Sequence, residues 1–399
     1  MTQKTIYIEH MSCKRRSLDA YRFSKYFEAN GCKIVRWPNF ADILLFMSCA
    51  FRTNEENYAI NRIKKLLQYR GTLIVTGCLP GISPDRLGAV FSGLSFSPKH
   101  NHHIDAYFPN FSTSFKNIPD SYSLYPKHKK YMRYQAANQI KSYSDLICIL
   151  TQYIKWNVQK AYYLRISNGC PEPHCAYCRI WKATGALHSK RPVECETELN
   201  KALKNGFRNI VLVAENIGAY GSDINETLPC LLKRLCNSKK QFTIAIQSLR
   251  PDYFLQYQKE LLSIFATGRI SKCGTAIQSG SQKIINDMNR YYDIKKITEV
   301  VKNCKQLFPH IQIDTHIIIG FPTETEDDLK ATLRCLKETP FDLVCFFAYG
   351  HNQHITDKRL LKNLIDSQTI ANRMKLALDF CKKNGIAAIR DSEGLMQAE

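Results

Sequence analysis

Along the first ninety residues, unbroken apolar runs take turns with apolar residues spaced three and four apart. KTIYIEH (4–10), CKIVRW (32–37), ADILLFMSC (41–49) and TLIVTGC (72–78) are short and apolar, and they read as strands. SLDAYRFSKYFEANG (17–31) has the spacing of an amphipathic helix, with Ser17 as N-cap and Gly31 as stop. NEENYAINRIKKLLQYRG (54–71) places Ile60, Ile63, Leu66 and Leu67 on one helical face. Strands alternating with helices predict a parallel α/β sheet.

The pattern weakens between 98 and 160, where turn residues are frequent and apolar faces are few. It returns at AYYLRIS (161–167). NIVLVAEN, QFTIAIQS, KCGTAIQSG, IQIDTHIIIGFP and FDLVCFFAYG follow, separated by helical stretches such as ECETELNKALKNG and SQKIINDMN. Counting AYYLRIS, that makes six βα units. The expectation is an incomplete parallel barrel, (βα)6, with its site at the carboxyl ends of the strands.

Composition narrows the classes. With 399 residues and 44% hydrophobic content the chain has material for more than one domain. It has no 18-residue apolar run, and the N-terminal MTQKTIYIEHMSCKRR has no apolar signal-like core. A cytoplasmic location is therefore expected, without membrane association. In that reducing setting the 16 cysteines are expected to be core residues, metal ligands or nucleophiles rather than disulfides. A formal charge of +21 suits nucleic acid, acidic proteins or anionic cofactors as partners, and equally a solvated basic surface.

The cysteines then acquire a pattern. Cys13, Cys49 and Cys78 each follow a predicted strand of the first sheet, at the edge where function gathers in such sheets. Cys32 opens a strand at the opposite edge and reads as core. Cys170, Cys175 and Cys178 lie in GCPEPHCAYC, on the loop after the first barrel strand. Three thiolates suit an iron–sulfur cluster with one iron left open. Zinc would want a fourth ligand, which His174 or His188 could supply beside the second trio. His100, His102 and His103 form another candidate metal group, or a solvated loop. The remaining cysteines lack tight spacing and read mostly as small buried hydrophobes.

These motifs, in this order, resemble the radical S-adenosylmethionine (SAM) enzymes and, within them, the methylthiotransferases. In the first third the resemblance rests on Cys13, ADILLFMSCAFRTNEEN and IVTGCLPG. In the barrel it rests on YLRISNGC, SKRPVE, GFRNIVLVAENIGAYG, AIQSGSQKIINDMNR, IIIGFPTETEDDL and FDLVCFFAYG. The resemblance implies two [4Fe–4S] clusters and SAM. Cys170, Cys175 and Cys178 would hold the radical cluster. Cys13, Cys49 and Cys78 would hold an auxiliary cluster that carries the sulfur. By the same resemblance Tyr177 lies near the adenine. Gln278 and Ser279 meet the ribose and carboxylate, Gly320, Phe321 and Pro322 form the adenine-side turn, and Glu215 and Asn216 reach the methionine end. A reducing partner such as flavodoxin or ferredoxin is expected.

The chain also departs from the family. Four residues, not three, separate Cys170 from Cys175, so the loop is expected to be one residue longer and stiffened by Pro171 and Pro173. Counting three residues on lands on His174, but that register would put Tyr177 at the last ligand position. ATG (183–185) stands where the family usually has an arginine, and GHNQHITDKRLL (350–361) lacks its usual turn. A last helix is expected to open at Asp366 or Ser367 and stop at Gly385. Only 14 residues follow it, so the family's TRAM barrel is not expected. The resulting division is an N-terminal α/β domain over 1–97, a linker or irregular arm over 98–160, a partial barrel over 161–350, and a C-terminal helix and tail over 351–399. The functional expectation is C–S bond formation on a peptide or small natural-product precursor. The alternatives are tRNA methylthiolation and a non-catalytic iron–sulfur protein that binds RNA or carries electrons.

Overall fold

A computed structural model describes residues 3–11, 13–123, 161–171, 175–350 and 357–391. Residues 124–160 of the expected arm (98–160), with Cys148, and His174 with its neighbours Glu172 and Pro173 lie outside the described residues.

The first sheet is parallel and five-stranded, in the order β2 (Lys33–Val35), β1 (Thr5–His10), β3 (Ile43–Ser48), β4 (Thr72–Gly77), β5 (Ser95–Phe96). Every residue of β3 is buried, as expected of a central strand covered on both faces. Its even and odd side chains serve two cores. Leu44 and Phe46 pack towards α2 (Thr53–Leu66), and Leu45 and Met47 pack with Phe23 and Phe27 of α1 (Lys14–Ala29). α1 starts earlier than its pattern suggested. Cys13, not Ser17, holds the N-cap position, and Ser17 donates its backbone N–H to the Cys13 carbonyl inside the first turn.

The second body is a partial barrel. β6 (Ala161–Arg165) enters it, and a short antiparallel pair, β7 (Ser167–Asn168) with β8 (His188–Ser189), brackets the cysteine loop. β9 (Asn209–Val213), β10 (Thr243–Ile246) and β11 (Ile270–Cys273) extend β6 as a parallel sheet in the order β11-β10-β9-β6. β12 (Asp314–Ile319), β13 (Leu343–Ala348) and β14 (Ala388–Asp391) form a second parallel set. Bridges from Lys272 to Gln312 and from Gln278 to Ile317 join the two sets.

The six expected strands are present, with two differences. The fourth starts upstream of KCGTAIQSG and ends at its second residue, because the chain leaves regular pairing at Gly274 and Gln278 takes a left-handed φ of 64°. A seventh strand, β14, follows the last helix (Ser367–Lys383), beyond the Gly385 stop. That helix opens at Asp366, whose side chain accepts from the Thr369 N–H.

Buried ion pairs lock α1 onto the barrel. Arg165 of β6 reaches Asp19 at 2.7 Å, and Arg16 reaches Asp19 and Glu215, each at 2.8 Å. The carboxyl ends of the first sheet therefore face the carboxyl ends of the barrel strands. No described helix is long and apolar enough to cross a membrane.

Candidate active site

Cys13, Cys49 and Cys78 follow β1, β3 and β4 and line one cavity of about 300 Å³. Strand pairing fixes two of them, since the Cys78 N–H donates to the Ser48 carbonyl at 2.9 Å. Lys14, Arg15 and Arg16, next after Cys13, line the same space, so an anionic cluster there would sit beside an ammonium, two guanidinium groups and the positive end of α1. The far wall belongs to the barrel. It carries Glu215, Gln247, Ser248, Lys272, Asp314, His316 and Phe347.

The second trio sits on the loop between β7 and β8. Gly169 opens it with a φ of 78°, and a Cβ there would lie 1.9 Å from the Ala186 carbonyl oxygen, so only glycine fits. The Cys170 N–H donates to the Gly185 carbonyl, and the Ala176 N–H to the Met288 carbonyl, both at 3.1 Å. Cys78 and Cys178 each stand just before a short helix, Leu79–Ile82 and Ile180–Thr184, and these helices pack against each other. The contact is close: a Cβ added at Gly81 would lie 2.6 Å from the Ala183 Cα.

The donor chemistry suits iron–sulfur clusters. Among the described residues no three His, Cys, Asp or Glu side chains converge on a single ion. A cubane asks for something else, because each thiolate binds a different iron and the three sulfurs stay apart. Burial raises the Cys78 thiol to about 12, and burial together with Cys175 raises Cys178 to about 11. Cys49 is pushed up by burial and by Cys78. Iron must displace these protons on binding. His188 is exposed, and so are His100, His102 and His103, the first and last of them stacked at 4.8 Å on the surface.

A smaller cavity, about 120 Å³, adjoins the first and shares Phe51, His316 and Phe347 with it. Tyr177 and Gln278, two of the residues expected near SAM, line it. Phe321 is fully buried 5.6 Å from the Tyr349 ring, and Pro322 is buried beside it. A Cβ at Gly320 would meet Ile370 of the last helix. Glu215 is held by Arg16 and by the Gly169 N–H at 3.0 Å, so it ties both cysteine regions together. Asn216 is buried with neither side-chain amide atom partnered, which suits a residue awaiting a ligand. Ser279 is not brought to a cavity wall. It is fully buried, with its hydroxyl 3.1 Å from that of Thr332 and accepting from the Ser281 N–H.

Sequence reasoning missed Lys272, Asp314 and His316. Lys272 and Asp314 form an ion pair across neighbouring strands on the cavity wall. Their signal was present as polar residues inside the apolar runs ISKC and IDTHIII. A larger groove of about 900 Å³, lined by Tyr21, Tyr122 and Lys190, lies elsewhere and holds none of the candidate cysteines.

Residues 164–336 match the radical SAM superfamily, and residues 5–95 match the Uncharacterized protein family UPF0004. A probable threonylcarbamoyladenosine tRNA methylthiotransferase of Pyrococcus horikoshii is 27% identical over 86% of this chain and 76% of its own. A tRNA-2-methylthio-N(6)-dimethylallyladenosine synthase of Clostridium botulinum is 28% identical over 86% and 74%. Together the two family models and these relatives support a radical SAM methylthiotransferase family for this chain. It is a radical SAM enzyme, and its cofactors are SAM and two [4Fe–4S] clusters. Among solved structures the radical SAM methyltransferase TsrM of Kitasatospora setae shares the fold, with a TM-score of 0.57 at 10% identity over 86% of this chain and 75% of that one. The radical SAM enzyme OxsB does so with a TM-score of 0.57 at 12% identity, over 99% and 63%.

Proposed function

We propose that this enzyme joins a methylthio group to an N6-modified adenosine of tRNA. The observation that carries the reading is the 300 Å³ cavity, where three cysteines of the first sheet face the barrel mouth across a polar wall. The curated relatives named above are tRNA methylthiotransferases, and a charge of +21 suits a polyanionic substrate.

In this reading Cys170, Cys175 and Cys178 hold the radical cluster and Cys13, Cys49 and Cys78 the auxiliary one. When bound, the clusters and SAM supply the one-electron chemistry that opens an unactivated C–H bond, which no acid or base can do. Tyr177 and Gln278 line the SAM pocket. Phe51 and Phe347 narrow its junction with the substrate cavity and exclude water. Gln247, Lys272, Asp314 and His316 present donors and acceptors to the entering group. Burial holds His316 down to about 4, so its ring meets the substrate neutral at pH 7. A flavodoxin- or ferredoxin-like partner supplies the electron.

The test incubates reconstituted enzyme with SAM, sulfide, dithionite and tRNA bearing N6-modified adenosines, then analyses nucleosides by mass spectrometry. A SAM-dependent methylthioadenosine is expected. Formation of 5′-deoxyadenosine with no modified nucleoside would move the substrate to a peptide or small natural-product precursor, the class suggested by the departures in the sequence.

A further inference from the structure

The segment IINDMNRYY contains an arginine to which neither the resemblance nor the cavities give a role. Its placement is built locally. The helix Gln282–Asp287 ends as the chain turns through Asn289 at a φ of 56°. Asparagine tolerates the left-handed region better than most side chains, so it serves where glycine often stands. The Arg290 N–H then donates back to the Ile285 carbonyl at 3.0 Å, closing the helix end. This reversal sends Arg290 inward, and only 5% of it is exposed.

Three observations define its surroundings. One Nη donates to the Cys175 sulfur at 3.4 Å, and the other reaches the Ala276 carbonyl at 3.5 Å. Nε is buried with no partner. The same turn grips the cysteine loop through its main chain, by the Ala176 to Met288 hydrogen bond. A guanidinium is costly to bury and keeps its charge, so burial in contact with one cysteine sulfur calls for a negative charge there.

We infer that Arg290 is a positioning residue that holds Cys175 as a thiolate ligand and sets the reduction potential of the cluster it binds. This rests on the reading of Cys175 as a radical-cluster ligand. A hydrogen bond and a positive charge at a ligating sulfur stabilise the more negative, reduced state, so the potential rises. The inference concerns Cys175, the cysteine whose sulfur the Arg290 guanidinium reaches.

The test is a potentiometric titration of the whole reconstituted enzyme followed by electron paramagnetic resonance, taking the signal that changes on adding SAM. Arg290→Met keeps the stem and removes charge and donors. It should retain its iron and shift the midpoint downwards, so that the reduced-to-oxidised ratio at a fixed potential falls about tenfold, which is about 59 mV for one electron. Arg290→Lys restores the charge and should recover part of the shift. An unchanged midpoint in an iron-replete Arg290→Met enzyme overturns the inference. Where Arg290→Met loses iron, Arg290→Lys decides: a lowered midpoint with full iron supports the inference, and a wild-type midpoint overturns it. Cys175→Ala separates the underlying assumption. It should lose about four of about eight irons, and full retention would refute the ligand reading whatever Arg290 does.

Discussion

His316 sits where the two cavities meet, and its environment dictates its charge. Burial, then Lys272, holds its pKa at about 4, below the ordinary 6.5, while Asp314 works in the other direction. A group depressed on folding contributes stability that is full above its unfolded pKa and is lost as pH falls towards the folded one. The window is therefore pH 6.5 down to 4. By pH 5 the loss should reach up to roughly 2 kcal/mol, less what cavity water relieves. Thermal unfolding of wild type and His316→Gln from pH 7.5 to 5 checks this; equal slopes would mean that the ring is not desolvated. At this scale the sequence was legible where chemistry repeats at strand ends, as with Cys13, Cys49 and Cys78. For Lys272 and Asp314 the polar positions inside apolar runs were visible but not what they would face, and Arg290 lies in a polar turn where it does not stand out.

Among the elements, a buried ion pair ties α2 to β1. Arg62 makes two 2.7 Å hydrogen bonds to Glu9, which is 1% exposed and also accepts from the Tyr7 hydroxyl. Arg62→Met takes this guanidinium from the buried Glu9 carboxylate and should cost about 3–5 kcal/mol. Glu9→Gln combined with Arg62→Met removes both charges and should recover most of that loss in denaturant titrations. If the double variant is no more stable than the single one, the pair is not the source of the cost. Element positions were readable because period two and period 3.6 are strong signals over these lengths. Their ends were less so: Ser17 has the chemistry of an N-cap, yet the helix starts just after Cys13, with Arg16 and Asp19 in its first turns paired to Glu215 and Arg165 of the barrel. β14 is short and lies past a helix stop, so it exists through pairing with β13 that no local pattern records.

For the whole molecule, the charge of +21 makes a testable demand. If tRNA is held through several phosphates, affinity should fall about 10³-fold or more between 50 and 200 mM salt. Filter binding or fluorescence anisotropy across that range measures the slope, and a flat response would remove the basic surface from substrate capture. The two-body arrangement was legible as two runs of strand and helix. Their facing was not, since it depends on Arg16, Asp19, Arg165 and Glu215, ordinary surface residue types that meet only in three dimensions.

The contact between Gly81 and Ala183 turns the two cysteine loops into the jaws of a vice with a fixed gap. Backbone meets backbone there, so no side chain can yield to widen or narrow the opening. A substrate of another thickness could not be met by resetting the jaws. Lineages built on this frame would have to change what they grip by refacing the barrel wall, one residue at a time, while the gauge between the loops stays the same.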